Sequence, residues 1–285
     1  MNYYNSDLAD IGFATIEPCK ELEPYIYNYW VIRKKNLTNK ISNKILSDGN
    51  SGIVINFSSA FLTSINKKEF LCEKTFTYCG PTKYPLFMNF ENSIDAIGIR
   101  FKAGGAYKFF GKDISLYKDI VVELHNSNAL KIDILGEKLI NTANVESKIF
   151  HIEEFLLNKI KHSKKENSAW LFDFVKTIKN NKGDVNIEQM CDDFKINPRH
   201  CARKFKEEVG LGAKLYARLI RVVNTKDTLS SLKVDSLTAV AYDNGFFDQA
   251  HFTNEFKSFM CETPKDYFSK KQNMAKGLNY KKYKK

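Results

Sequence analysis

The chain has 285 residues, is 43% hydrophobic and carries a formal net charge of +11, which leaves room for two domains of ordinary size. No apolar run approaches the roughly 20 residues that span a bilayer, and the start "MNYYNSDLADIGF" lacks the basic stretch and apolar core of a secretory signal, so a cytoplasmic location without a membrane partner is expected. The cysteines Cys19, Cys72, Cys79, Cys191, Cys201 and Cys261 are scattered and form no C-x-x-C pair, which argues against a disulfide framework or a four-thiolate zinc site and reads as reduced, mostly buried thiols with no cofactor.

Residues 1 to about 125 read as mostly β. "SGIVINFSS" places Ile53, Ile55 and Phe57 on one face, and "DAIGIRFKA" does the same with Ile97, Ile99 and Phe101. Such period-two runs, broken by Gly, Pro and Asn, predict half-buried antiparallel strands. "SDGN" at 47–50 reads first as a strand-joining turn and second as part of a pocket rim. "KAGGAY" at 102–107 is read first as a tight turn. An anion cradle of backbone amides is the second reading, without the G-x-x-x-x-G-K-[ST] pattern that would favour it.

Residues 126–160 read as helical. Ile149, Ile152, Leu156 and Ile160 form one stripe, which suits packing on the same domain or a seam with a second copy. "KHSKKENS", 161–168, is polar and charged and reads as a linker. From Ala169 the pattern is helical. Trp170, Leu171, Phe174, Val175 and Ile178 keep 3.6-residue spacing until "NNKGD" stops the helix, and a basic helix near 213–230 carries Tyr216, Leu219, Ile220 and Val223 on one face. The tail, 271–285, is rich in lysine and reads as disordered and solvated. The charge is unevenly shared. From Ser168 onward there are 22 Lys+Arg against 14 Asp+Glu, a net +8, which points to a polyanion partner there.

The C-terminal part repeats itself. "INPRHCARKFKEEVGLGAKLY" lies over "FFDQAHFTNEFKSFMCETPKDY" at an offset of 51, so that His200 meets His251, Phe205 meets Phe256 and Tyr216 meets Tyr267. Just upstream the offset is 50, and Met190 and Cys191 meet Val240 and Ala241. Each copy has a short helix burying i, i+3, i+4, then a tight turn, then a second helix. That helix opens on a cap, Asn197 before Pro198 or Asp248. It buries Cys201, Phe205 and Val209 in one copy, and Phe252, Phe256 and Met260 in the other. Two helices meeting across a short turn, one with a small polar and basic face outward, form a helix-turn-helix. Its second helix fits the DNA major groove.

With "PRH", "FK", "VGL" and "RLIR" in the first copy and "AY-NGF-DQ-HF---FK" then "TP--YF" in the second, residues 169–270 resemble the DNA-binding domain of AraC-type transcription regulators. In that family two helix-turn-helix units are joined by a long helix. "PYIYNYW", "ILSDGNSGIVINF", "GPT" and "GIRFKAGGAY", within 17 to about 125, look like an N-terminal domain attached to some of these regulators, with no generally established ligand. The chain departs from the family at Lys195, where a turn glycine is usual and a left-handed backbone would cost about 1 kcal/mol. It departs also at Lys204, in place of an apolar residue, and at Ala250 and Cys261, in place of Ser and Gly.

The expected fold is therefore α+β. A mostly-β domain with trailing helices, 1–160, senses a signal or mediates association; the linker follows; then an all-α domain, 169–270, carries two helix-turn-helix units joined by a long helix. In the first unit Arg199, His200, Ala202, Arg203 and Lys206 are the candidate DNA contacts. The resemblance points to Arg199, Ala202 and Arg203, and arginine reads guanine bidentately. In the second unit the candidates are Gln249, Ala250, His251, Thr253, Asn254 and Lys257; the resemblance points to 250 and 254. His251 reads equally as a phosphate contact or as packing beside the turn. A sequence-specific regulator of transcription follows, with double-stranded DNA as partner and RNA polymerase, a small-molecule effector and a second copy as further candidates. The alternatives are a DNA-binding domain fused to an enzyme, against which the lack of a cysteine cluster and of histidines among the strands argues, and a non-specific architectural DNA binder.

Overall fold

In the computed structural model, which describes residues 12–34, 37, 40–73, 76–124, 132–231, 234 and 236–282, the alternating runs of the N-terminal half become two antiparallel sheets. The larger holds β1 (Phe13–Ile16), β2 (Ile26–Lys34), β4 (Gly52–Asn56), β7 (Phe76–Cys79), β9 (Ile94–Phe101) and β10 (Val121–Glu123) in the order β1-β2-β9-β4-β7-β10. The smaller holds β3 (Ile41–Ile45), β5 (Phe61–Ile65), β6 (Lys68–Cys72) and β8 (Leu86–Phe90) in the order β3-β8-β5-β6. Period two divides the larger sheet's side chains between two cores. Ile53, Ile55, Ile97, Ile99 and Phe101 face a helical layer. Ile32, Val54, Ile94 and Ala96 face the smaller sheet and meet Phe61, Met88 and Phe90. A cavity of about 150 Å³ lies in this second layer, between the sheets.

The helical layer comprises α1 (Gly105–Phe110), a 3-10 turn (Ile114–Tyr117), α2 (Asp133–Ile140) and α3 (Val145–His162). Ile149, Ile152 and Leu156 of α3 are buried against the larger sheet of their own domain, with Ile160 partly so. That settles the use of the stripe: it is a core face, and the reading of it as a seam between two copies is corrected. Each such side chain taken out of water contributes about 1.5–3 kcal/mol.

The described residues of the C-terminal half form helices and their connections: α4 (Leu171–Asn180), α5 (Ile187–Asp193), α6 (Pro198–Val209), α7 (Ala213–Ser230), α8 (Leu237–Asp243), α9 (Gln249–Met260) and α10 (Pro264–Lys282). The last helix runs on through residues 271–282, the stretch that reads as disordered in the sequence. Residues 283–285 lie outside the described residues. Among the described residues no helix is long and apolar enough to cross a membrane. The cysteines described are free, with Cys72, Cys191 and Cys201 buried and Cys261 exposed.

Residues 163–168, between α3 and α4, have no regular structure but are held at several points. Ser163 donates to the Lys108 carbonyl at 2.9 Å, and Asn167 Nδ2 to the Gly104 carbonyl at 3.0 Å. The "SDGN" loop is more than a turn. Ser47, Asp48 and Asn50 line the cavity, and a Cβ on Gly49 would sit 2.7 Å from the Tyr216 ring of α7. "KAGGAY" is a tight turn, as read first: Gly104 has φ 85° and leads directly into α1.

Two left-handed positions recur in each helix-turn-helix copy, and the glycines are shared out crosswise. In the turn, Lys195 (φ 54°) matches Gly245 (φ 73°); at the C-cap of the second helix, Gly210 (φ 87°) matches Cys261 (φ 57°). Lys195→Gly would relieve about 1–2 kcal/mol of left-handed strain and lose about 0.5–1 kcal/mol to unfolded-chain entropy. The expected net is a gain of about 0–1.5 kcal/mol, read as a higher urea midpoint at unchanged slope. A lower midpoint would contradict it.

Candidate nucleic-acid interface

Each of the paired helices starts where its sequence supplies a cap. Asn186 accepts from the amides of Glu188 and Gln189 at the start of α5, and Ser236 accepts from Ala239 at the start of α8. Asn197 accepts from Arg199 (3.0 Å) and His200 (3.3 Å), and Asp248 accepts from His251 (2.6 Å). These bonds satisfy amides that have no partner within the helix.

The apolar stripes then fix which face looks outward. On α6, Cys201, Phe205, Glu208 and Val209 are buried, whereas Arg199, His200, Ala202, Arg203 and Lys206 are all exposed. On α9, Phe252, Glu255, Phe256, Phe259 and Met260 are buried. Gln249, Ala250, His251, Asn254 and Lys257 are exposed, and Thr253 is half-buried. Each outward set is thus brought onto one helix face, and both faces remain accessible with the N-terminal domain in place. Within the sets, Thr253 Oγ1 donates to the Gln249 carbonyl at 2.8 Å, and Thr238 of α8 donates to Gln249 Oε1 at 3.0 Å. The His251 ring stands edge-on to Phe246 with centroids 5.7 Å apart, so it packs beside the turn while keeping an exposed edge.

Charge on the first helix is organised around Glu207. Arg203 Nη1 lies 3.4 Å from its carboxylate and Lys204 Nζ 3.1 Å. The Tyr107 hydroxyl of α1 donates to it at 2.9 Å. Burial opposes ionisation of Glu207, but these bonds outweigh it and hold the carboxyl below its ordinary range. Lys204 therefore stands where an apolar residue is usual without stranding a charge. Glu208, 1% exposed, accepts from the Ser168 amide (2.9 Å), the Ser168 hydroxyl (2.6 Å) and Asn167 (3.1 Å). The back of α6 is thus fastened to the N-terminal domain and the linking segment.

The sequence reading matched "RLIR" without giving it a role. Arg218 of α7 makes a two-pronged bond to Glu255 of α9, with Nε 3.0 Å from Oε2 and Nη2 on Oε1. Arg221 donates to the Gly245 carbonyl at 2.9 Å, to the Gly183 carbonyl at 3.1 Å and to Asp184 at 3.1 Å. The linking helix therefore sets the orientation of the second unit through its arginines. The signal available in the sequence was their i, i+3 spacing, which puts them on one side of α7.

Comparison with known proteins follows the same division. A family model described as a helix-turn-helix domain matches residues 190–270, and one described as a domain of unknown function, DUF6597, matches 14–123. The HTH-type transcriptional activator RhaS of Escherichia coli O157:H7 is 29% identical over 98 residues, 34% of this chain and 33% of that protein. An uncharacterized HTH-type transcriptional regulator of Staphylococcus aureus strain N315 is 29% identical over 84 residues, 30% of this chain and 11% of that protein. The chain thus spans between a tenth and a third of the length of these relatives. Among solved structures, ToxT from Vibrio cholerae aligns over 84% of this chain and 97% of its own, at 14% identity and a TM-score of 0.45.

Proposed function

We infer that this chain, whose C-terminal domain is a helix-turn-helix domain of the AraC type, is a sequence-specific DNA-binding regulator of transcription that reads two consecutive major-groove segments. The observation that carries the reading is the pair of outward faces on α6 and α9, repeated in register and held in fixed orientation by α7. Two such units on one chain suit groove segments about 34 Å apart.

The assignment of roles follows from side-chain chemistry. Arg199 and Arg203 match the two acceptors of guanine in the major groove, and Asn254 matches adenine. Ala250 offers a methyl surface to thymine. Lys206 and Lys257 sit at the last turns of their helices and neutralise phosphate. The N-terminal domain, proposed as 1–160, is the sensing unit, and the cavity between its sheets is the proposed effector site. DNA binding places the chain in the cytoplasm. Contacts with RNA polymerase or a second copy lie outside this reading.

The test is a mobility shift of the full chain on duplex DNA across a salt series. Affinity is expected to fall linearly in log–log form as counterions are released. Lys257→Ala should weaken every duplex by the same factor and make the salt slope shallower by about one. A change in base preference on this substitution, or no shift at low salt, would contradict the reading.

A further inference from the structure

The cavity between the two sheets has a mainly apolar wall, with Trp30, Phe61, Met88, Phe90 and Ile94 among its residues. Two side-chain amides interrupt it. Asn43 of β3 lines the cavity and is 4% exposed, and its Nδ2 has no hydrogen-bond partner. Asn50 also lines the cavity, and its Oδ1 is buried without a partner. The Asn50 amide is fixed in that sense because its Nδ2 donates to Asp48 Oδ2 at 2.8 Å. An unpaired buried amide atom is costly, and here a donor and an acceptor are left unpaired in one apolar chamber. A few polar groups placed in an apolar wall is the ordinary make-up of a small-molecule site.

The cations at the wall are already paired. Arg100 is bonded to Asp48 and stacks over the Tyr27 ring at 4.7 Å. Lys44 is bonded to Glu262 and to the Met260 carbonyl. An anionic ligand would have to break one of these pairs, and a neutral one would not. The volume, about 150 Å³, matches an apolar cavity that accepts benzene.

We propose that this cavity binds a neutral, mostly apolar small molecule the size of a substituted benzene ring, through a hydroxyl or amide that accepts from Asn43 and donates to Asn50. The proposal rests on reading the N-terminal domain as the sensing unit and names the chemistry of its ligand. The site borders the second helix-turn-helix unit, because Lys44, next to Asn43 in β3, holds the C-terminal end of α9.

Titration calorimetry of the full chain with phenol, benzamide, benzene and benzoate tests it. Phenol and benzamide should bind saturably, each at least tenfold tighter than benzene or benzoate. Asn43→Leu should abolish that preference over benzene, and Met88→Trp, which fills the cavity, should abolish binding of all four. Benzoate binding tightest, no saturable binding by phenol or benzamide, or an unchanged benzamide affinity in Asn43→Leu would overturn the proposal. A measurement on the unaltered chain stands beside the variants: the side-chain amide resonance of Asn43 should shift on benzamide addition, and a static resonance at saturation overturns the proposal equally. DNA binding by the same preparation is measured separately, so loss of this inference with DNA binding intact leaves the regulator reading standing.

Discussion

Phe256→Ala is expected to lower the unfolding free energy by about 3–5 kcal/mol, the usual cost of deleting a fully buried ring and leaving its cavity. The ring is 0% exposed. It meets Phe252 edge-on at 5.7 Å and Tyr267 at 5.8 Å, so it joins α9 to α10 as well as filling the second unit. Against a typical total of about 5–15 kcal/mol, that loss is large enough to unfold part of the chain at moderate temperature. Urea unfolding followed by circular dichroism checks it. Lys206→Ala, on the exposed face of α6, is the comparison: surface changes of that kind stay within about 0.5 kcal/mol. A Phe256→Ala protein as stable as the Lys206→Ala protein would mean that α9 is not packed as described.

Arg203→Ala is expected to do the reverse, sparing the fold and weakening one DNA sequence. The side chain is 61% exposed, and its bond to Glu207 at 3.4 Å is long. An exposed pair of this kind contributes about 0–1 kcal/mol, so stability should hardly move. Losing a bidentate contact to guanine should cost about 1–3 kcal/mol of affinity and relax preference at one base pair. The salt slope discriminates the two uses of positive charge: it should change less here than in Lys257→Ala. Quantitative competition with duplexes altered at single positions gives both numbers. If Arg203→Ala keeps full preference at every position, Arg203 does not read a base.

What the sequence disclosed and what it withheld divide by the range of the interactions. The two helix-turn-helix copies were legible because caps such as Asn197 and Asp248, and stripes such as Phe252–Phe256–Met260, act within a few residues of each other. The strands with Ile53–Ile55 and Ile97–Ile99 were legible for the same reason: their period two repeats within one element. The smaller sheet was harder to see, since "ISNKI" buries the polar Asn43 and exposes Ile45 while "KEFLC" exposes Leu71, so hydropathy does not report which face of β3 and β6 is inward. The stripe on α3 was visible but its partner was not, because an amphipathic helix states that it has a buried face without naming the surface that buries it.

The contacts between the halves were hidden altogether. Tyr107 meets Glu207 across 100 residues and Lys44 meets Met260 across 216. No local pattern marks such pairs. The glycine of "SDGN" looked like turn chemistry and is in addition pressed against Tyr216. The outward residues of α6 and α9 lie on exposed faces, Thr253 being half-buried, because burial of the opposite stripe turns them outward. Their individual roles rest on chemistry alone, and DNA binding is what assigns them.

The most direct test of the central claim is a binding-site selection from random duplexes with the full chain at one fixed salt concentration. The two-unit reading predicts a motif of two base-specified blocks whose centres lie about 10–10.5 base pairs apart, with the arginine-bearing helix marking the better specified block. A motif of one block only, or no enrichment over random DNA under conditions where the chain binds, would contradict it.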